Sequence, residues 1–218
     1  MADFATHNDQ AKHDEQLAAY LIDKVERFAD WSIVACFYAA IHYFECRLSA
    51  SFVEESSKHT ETSMPVDSKG DPRMTAHQWR TKMIGDSYPQ STWKAFRKLR
   101  NSSETVRYLS HGIGTRTAFE AAPSAKLFNK SDAQQFLNRE LQQLKRDFKV
   151  DLSEFVVALE LSRSDVQAQL LVGKLLDNFT SYAEFQASKV DDFRRKGFTR
   201  SDIELLNRHL LAHGFPSI

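Results

Sequence analysis

Apolar side chains recur along most of this chain three or four positions apart, which is the spacing of one face of an α-helix. No segment shows the every-second-residue alternation that is typical of a strand. The pattern therefore predicts an all-α protein. The predicted helices span residues 11–29, 30–55, 75–85, 91–110, 131–149, 151–161, 164–185 and 199–213.

Turn-forming and capping residues mark the ends of several predicted helices. Four helices begin with Ser or Thr followed three residues later by Gln or Asp, which is the spacing of a capping box. Gly214 directly follows the last predicted helix, where a glycine commonly ends a helix. The four pairs are Thr75 and Gln78, Ser131 and Gln134, Ser164 and Gln167, and Thr199 and Asp202.

Four predicted helices carry apolar residues at helical spacing on one face. A stripe of this kind normally packs against a protein core. The stripes are Leu17, Tyr20, Leu21, Val25 and Phe28; Trp93, Phe96, Leu99, Ser103 and Val106; Phe136, Leu137, Leu141, Leu144 and Phe148; and Val166, Leu170, Leu171, Leu175 and Phe179.

The helix at 30–55 is different because it is apolar nearly all the way round and carries two stripes. Such a helix lies inside a bundle, so ionisable groups on its second stripe are expected near the interior, where they need partners. The apolar stripe consists of Phe37, Ile41, Phe44 and Leu48. The second stripe consists of Tyr38, His42 and Glu45.

The second stripe has three interpretations. Its side chains form an interior hydrogen-bond network that fixes the helix positions, with Glu45 paired to Arg107 or Arg80. Alternatively, they line a ligand-binding or catalytic cleft together with His77, Arg80 and Arg107. The third interpretation is a metal site formed by His42, Glu45 and His77, with His111 as a further candidate ligand. Metal sites in helical bundles, however, use the order Glu-x-x-His, and this helix carries His-x-x-Glu.

Glycine and proline are scarce, with 7 and 5 in 218 residues, as long uninterrupted helices require. The polar stretch 56–74 holds two prolines and a glycine and predicts a surface loop. Residues 111–130 predict a second connector. We place a domain boundary near residue 150: residues 1–150 form a bundle of four or five helices, and residues 151–218 form a C-terminal helical appendage.

Charge and cysteine content exclude several classes of protein. The 29 basic and 29 acidic residues cancel, so any basic footprint for a nucleic acid must be local. No apolar run approaches the roughly 18 residues of a membrane span, and the N-terminus is too polar for an ordinary signal peptide. Cys36 and Cys46 lie too far apart on one predicted helix to pair. We therefore expect a cytoplasmic protein with reduced thiols and no membrane partner.

No motif for a cofactor is found in this chain. Two lone cysteines do not make a zinc pattern, and no glycine-rich phosphate loop is present. We therefore predict no metal site and no cofactor.

Positive charge is concentrated in the helix at 91–110. The segment Lys94–Arg107 contains five basic residues and one acidic residue, Glu104. This strip either binds an anion such as an RNA backbone, or is the solvated face of an amphipathic helix with weak surface ion pairs.

Three short motifs resemble those of HEPN-type proteins. FYAAIHYFE at 37–45 is similar to the Tyr-Tyr-Ala-x-x-His pattern of their second helix. His77 and Arg80 match a His-x-x-Arg element of one uncharacterised prokaryotic branch. LRNSSETVRY at 99–108 matches its Leu-x3-Ser-x3-Arg-Tyr element. The resemblance covers about residues 12–112.

The resemblance implies a compact helical bundle that is often dimeric. Many HEPN proteins are ribonucleases of toxin–antitoxin or antiviral systems, and others bind nucleotides or RNA without cleaving them. Catalytic members carry Arg-x(4–6)-His, in which Arg steadies phosphate charge and His transfers a proton. Only three residues separate Arg107 from His111 here, so that motif is absent from its expected place. Arg208 and His213 have the spacing but lie outside the matched region.

The resemblance therefore predicts a HEPN-like component of a prokaryotic defence or toxin–antitoxin-type system, a homodimer that binds or cleaves RNA or binds nucleotides. A protein of the same system is a further expected partner. If the protein is a metal-independent endoribonuclease, Arg107 and His111 are the catalytic residues. The alternative is a non-enzymatic helical scaffold or protein-interaction module. The predicted binding residues are Tyr38, His42, Glu45, His77, Arg80, Arg100 and Ser103.

Overall fold

The computed structural model describes residues 4–24, 28–50, 74–108, 127–161 and 166–218. All regular elements in these ranges are helical and none is a strand, which confirms the predicted all-α class. No helix within these ranges is long and apolar enough to cross a membrane. The elements are α1 (Phe4–Lys24), α2 (Ala29–Ala50), α3 (Ala76–Ser87), α4 (Gln90–Tyr108), α5 (Lys130–Gln135), a π-helical segment (Phe136–Leu141), α6 (Gln142–Asp147), α7 (Val150–Ala158), α8 (Val166–Asn178), α9 (Tyr182–Ala187), α10 (Val190–Arg195) and α11 (Arg200–Ala212).

The chain divides into two compact units, and α2 contributes residues to both. The predicted domains at 1–150 and 151–218 stay a prediction. The N-terminal unit consists of Ala5–Phe44 and His77–Asp147, and the C-terminal unit of Met1–Phe4, Glu45–Ala76 and Phe148–Ile218.

Helix α1 turns a different face to the core from the one predicted. Leu17 and Tyr20 are 40% and 57% exposed, whereas Ala11, Ala18 and Ile22 are buried. Ile22 packs with residues of other helices in a small apolar cluster. The predicted stripe of α1 is therefore wrong, because the alanine face is the one that packs against the core. Val25, another member of that stripe, lies outside the described residues.

The faces predicted for α2 and α4 agree with the structure. On α4, Phe96, Leu99, Ser103 and Val106 are all buried. On α2, Phe37 is buried, and its ring centroid lies 5.9 Å from that of Phe96. This ring contact places the apolar stripe of α2 beside α4.

The helix predicted at 131–149 is interrupted by the π-helical segment. The cap of α5 is Asn129, which forms a capping box with Asp132, so the predicted cap at Ser131 is wrong. A π-turn adds one residue to a helical turn. It allows two adjacent residues, Glu140 and Leu141, both to be buried.

In the C-terminal unit, the helix predicted at 164–185 is two helices. Helix α8 ends at Asn178, and α9 starts after Ser181, whose hydroxyl accepts a hydrogen bond from the Glu184 backbone N–H. Val166 and Leu170 are 70% and 54% exposed, so this part of the predicted stripe does not face the core.

The ends of the last two helices follow the predicted pattern. Thr199 and Asp202 form the capping box of α11, as predicted. Gly197 and Gly214 follow α10 and α11 with φ values of +82° and +78°, a region that favours glycine. Each glycine turns the chain so that the next residue, a phenylalanine, packs back on the unit. The core of this unit is rich in aromatic side chains, including Phe155, Phe179, Phe185, Phe193 and Phe198.

Candidate functional site

The candidate site lies in the N-terminal unit and is built around Arg107. Arg107 lies on α4, one turn after Ser103. Its Nη1 donates a hydrogen bond to the Tyr38 hydroxyl oxygen at 3.0 Å. Its Nε donates to the Ser103 backbone carbonyl at 3.3 Å. Partners on two helices therefore fix the orientation of the guanidinium.

Aromatic rings surround the same guanidinium. Its central carbon lies 5.7, 5.6 and 5.1 Å from the ring centroids of Phe37, Tyr38 and Tyr108. Distances of this size allow cation–π attraction. Tyr108 is 67% exposed, so its ring is accessible from solvent.

Arg107 keeps unused hydrogen-bonding capacity. A guanidinium carries five N–H groups, and two of those of Arg107 are used by Tyr38 and Ser103. Among the described residues no carboxylate pairs with Arg107. Within the described part of the chain, the other three N–H groups of this planar fork have no hydrogen-bond partner, and such a fork matches the oxygens of a phosphate.

His77 lies at the edge of this site. Its ring centroid is 6.1 Å from that of Phe37 and 6.3 Å from that of Tyr38. Partial burial and the positive charges of Arg80 and Arg107 lower the pKa of His77 below its ordinary value. This direction favours the neutral imidazole over the charged form. The structure thus brings together four predicted residues: Tyr38, His77, Ser103 and Arg107.

His42 lies one turn after Tyr38 on α2 and faces a residue that the sequence did not indicate. The Nδ1 atoms of His42 and His7 are 3.0 Å apart. A hydrogen bond between two Nδ1 atoms needs one donor and one acceptor, so only one of the two can carry a proton there. His7 precedes the start predicted for the first helix, and no sequence signal linked it to His42.

The remaining predicted residues have different surroundings. Arg100 contacts the Asn101 side chain and lies 3.7 Å from a carboxylate oxygen of Glu104, so part of the basic strip is paired locally. Glu45 is buried and belongs to the C-terminal unit. His111 lies outside the described residues. Within the described part of the chain, no three His, Cys, Asp or Glu side chains come together as metal ligands.

A second polar cluster in the N-terminal unit was not predicted. Glu15 accepts hydrogen bonds from the hydroxyl of Tyr43, from Gln142 at 2.7 Å and from Lys145 at 2.9 Å. Burial alone would raise the pKa of Glu15, but these bonds outweigh it and lower the pKa below its ordinary value. The partners lie as many as 130 positions apart along the chain. No local pattern could have revealed this cluster.

A buried carboxylate also lies in the π-helical segment. Glu140 accepts a hydrogen bond from Lys98 of α4 and one from Gln135 at 3.3 Å. Lys98 belongs to the predicted basic strip. The Lys98 amine therefore pairs with a buried carboxylate, although the Lys98 side chain itself is partly exposed.

Comparisons with protein families, with curated proteins and with solved structures give no match to this chain.

Proposed function

We propose that this protein binds RNA or a nucleotide through a phosphate group at Arg107. The observation that carries the proposal is the guanidinium itself, held by Tyr38 and Ser103 with three N–H groups left over. An arginine held in this way loses little further conformational freedom when it binds a bidentate anion.

Two neighbours of Arg107 fit the same class of ligand. The exposed ring of Tyr108 can stack with a base, since every base offers a π-face. The lowered pKa of His77 favours its neutral imidazole, whose unprotonated nitrogen can accept a hydrogen bond from a ribose hydroxyl. Around Arg107, a nucleotide can therefore meet hydrogen-bond donors for its phosphate, an aromatic ring for its base and a hydrogen-bond acceptor for its ribose.

The resemblance to HEPN proteins sets the wider proposal. On that basis the protein is a component of a prokaryotic defence or toxin–antitoxin-type system and acts as a homodimer. If it cleaves RNA, Arg107 steadies the phosphate and His111 transfers a proton, with Arg100 and His42 in support. The motifs quoted above carry this part of the proposal.

RNA binding tests the proposal directly. Fluorescence anisotropy of a labelled single-stranded RNA is measured with the wild type and with Arg107→Gln between about 50 and 200 mM salt. We expect Arg107→Gln to weaken binding about tenfold and to reduce the slope of log K against log salt by about 1, because one phosphate contact is lost.

The matched control is Lys94→Gln. Lys94 is an exposed residue of the same helix and lies nearly opposite Arg107 around its axis. This variant removes the same charge and is expected to bind RNA as the wild type does. Equal loss in both variants would show that only general positive charge matters. Absence of RNA and nucleotide binding by the wild type would reject the proposal.

Cleavage is tested separately with the same RNA, with and without EDTA. The hypothesis of a metal-independent nuclease predicts cleavage that EDTA does not inhibit and that Arg107→Ala/His111→Ala abolishes. Cleavage that survives this double substitution would reject the assignment of these two residues.

A second function, that of a protein-interaction scaffold, is favoured by one observation. Leu17, Tyr20 and Trp31 of the N-terminal unit are 40%, 57% and 47% exposed. Large apolar side chains at a surface are common in protein interfaces. A wild type that binds neither RNA nor nucleotides would favour this second function.

A further inference from the structure

A cavity of about 150 Å³ lies within the C-terminal unit, near the end of α11. Its inner wall contains the buried side chains Phe155, Phe185 and Leu210. Its mouth is lined by exposed polar side chains, including Gln186 and Ser217. An apolar interior with a few polar groups at the opening is typical of a small-molecule site.

The aromatic rings of this wall pack against one another. The ring centroid of Phe155 lies 4.4 Å from that of Tyr182 and 4.9 Å from that of Phe185. It lies 5.3 Å from that of Phe215, at an interplanar angle of 87°. A planar ring that enters such a wall can adopt the offset or edge-to-face contacts that aromatic pairs prefer.

Backbone hydrogen bonds hold the outer wall in place. At the end of α11, the N–H of Gly214 donates to the carbonyl of Leu211 at 3.2 Å, and that of Phe215 to Leu210 at 2.8 Å. This pair of bonds is a Schellman motif, and it directs the Phe215 ring onto Phe155. The N–H of Ile218 donates to the Asn207 side chain at 2.8 Å. The cavity is therefore formed before any ligand arrives.

Two polar groups at the mouth can bind one polar atom of a ligand. The Gln186 amide donates to the Tyr182 hydroxyl at 2.9 Å. The Tyr182 hydroxyl keeps its own proton to donate, and the Gln186 carbonyl oxygen can accept. None of the side chains that line the cavity is charged at neutral pH.

We propose that this cavity binds a small planar aromatic molecule that carries one uncharged hydrogen-bonding group, of the size of phenol or indole. The volume fits, since apolar cavities of about 150 Å³ admit benzene. None of the lining side chains carries a positive charge, so a carboxylate would lose its hydration there without a partner. This site is separate from that at Arg107, and its ligand does not depend on the function proposed there.

Titration calorimetry of the purified full chain with phenol and with indole tests the proposal, with benzoate as the charged analogue. Saturable one-to-one binding of phenol or indole, with benzoate at least tenfold weaker, is expected. Absence of saturation by both compounds up to their solubility would overturn the proposal. Equal binding of benzoate would overturn it as well.

Two leucines of α11 provide a matched pair of variants. Leu210→Phe places extra volume in the cavity and is expected to weaken binding at least tenfold. Leu211→Phe makes the same change at a side chain that is 64% exposed, and it should bind as the wild type does.

If Leu210→Phe does not fold by circular dichroism, Ser217→Phe at the exposed mouth replaces it. Wild-type affinity in the folded blocking variant would show that the ligand binds elsewhere, and would overturn the proposal.

Discussion

The two units bury different kinds of side chain. Among the described residues, all the buried polar and charged side chains except Glu45 and Ser153 lie in the N-terminal unit. They include Ser103, beside the candidate site, and Glu140, within the π-helical segment. In the part of the chain that the structure describes, the C-terminal unit buries a continuous apolar cluster that includes six phenylalanines.

This difference separates two uses of a helical core. A buried polar group needs a partner at a defined distance and angle, so the N-terminal unit fixes geometry at some cost in stability. An aromatic core has no such requirement. It stabilises the fold by burying apolar surface, and the free energy gained is roughly proportional to the area buried. We therefore expect binding of a phosphate group to depend on the first core and folding stability to depend mainly on the second.

The largest expected effect is in the aromatic core. Phe193 is fully buried, and its ring centroid lies 5.0 Å from that of Phe179 and 5.3 Å from that of Phe198. Phe193→Ala should lower the free energy of unfolding by about 3–5 kcal/mol, measured by urea denaturation. Leu211→Ala, at an exposed site, should change it by no more than about 0.5 kcal/mol. A loss below about 1 kcal/mol for Phe193→Ala would contradict the comparison.

The next effect concerns the buried carboxylate of the N-terminal unit. Lys98→Met leaves Glu140 buried without its charged partner and should lower the free energy of unfolding by about 2 kcal/mol. A larger loss is not expected, because Lys98 itself is partly exposed. The double variant Lys98→Met/Glu140→Leu removes both charges and should recover most of that loss. Thermal and urea unfolding of the wild type, the single variant and the double variant measure this recovery. A double variant less stable than the single one would contradict the prediction.

Two glycine-to-alanine substitutions, one in a turn and one within a helix, should give smaller effects on stability of opposite sign. Gly214→Ala should lower the free energy of unfolding by about 1 kcal/mol, since alanine is strained at φ +78°. Gly85 lies within α3, where an added Cβ would meet the Trp93 ring at 3.7 Å, an ordinary contact. Gly85→Ala should therefore raise stability by up to about 1 kcal/mol. Effects of the same sign in a melting experiment would contradict this contrast.

The smallest effect is the dependence of stability on pH. The Thr180 backbone N–H and the Lys196 amine lower the pKa of Glu184 from its ordinary 4.5 to about 2. Because the unfolded chain takes up the proton first, this contribution is present above about pH 4.5 and is lost as the pH falls towards 2. Glu184→Gln should reduce the loss of unfolding free energy over that pH range. Glu15→Gln should also reduce the loss at low pH, because the pKa of Glu15 in the N-terminal unit is likewise lowered.

The comparison for this prediction is a pH series of urea midpoints for the wild type and both variants. A wild-type slope in Glu184→Gln would show that the Lys196 contact gives no stability in solution. A wild-type slope in Glu15→Gln would do the same for its hydrogen bonds.

Features that depend on neighbours along the chain could be predicted. The face of α4 follows from the positions of Phe96 and Leu99 alone, and the start of α11 follows from Thr199 and Asp202. Gly214 ends α11 because only a residue that tolerates positive φ can turn the chain there. These are interactions over three to five residues, which the order of amino acids specifies directly.

Features that depend on packing could not be predicted. Helix α1 offers two faces, and the more apolar one, with Leu17 and Tyr20, is the exposed one. The small side chains Ala11 and Ala18 allow the neighbouring helices to pack closely against α1. Whether this close packing stabilises the protein more than burial of Tyr20 depends on those helices and not on the sequence of α1. The π-helical turn likewise depends on the fit of Glu140 to Lys98 across the unit.

The sequence by itself determined the all-α class and most helix faces, and its motifs predicted Tyr38, His77, Ser103 and Arg107 as candidate site residues. Only the tertiary structure decided that the Arg107 guanidinium is held by Tyr38, 69 residues away, and that His7 pairs with His42. The reason is physical: a helical period is a local property, whereas a hydrogen bond between two helices depends on how both pack.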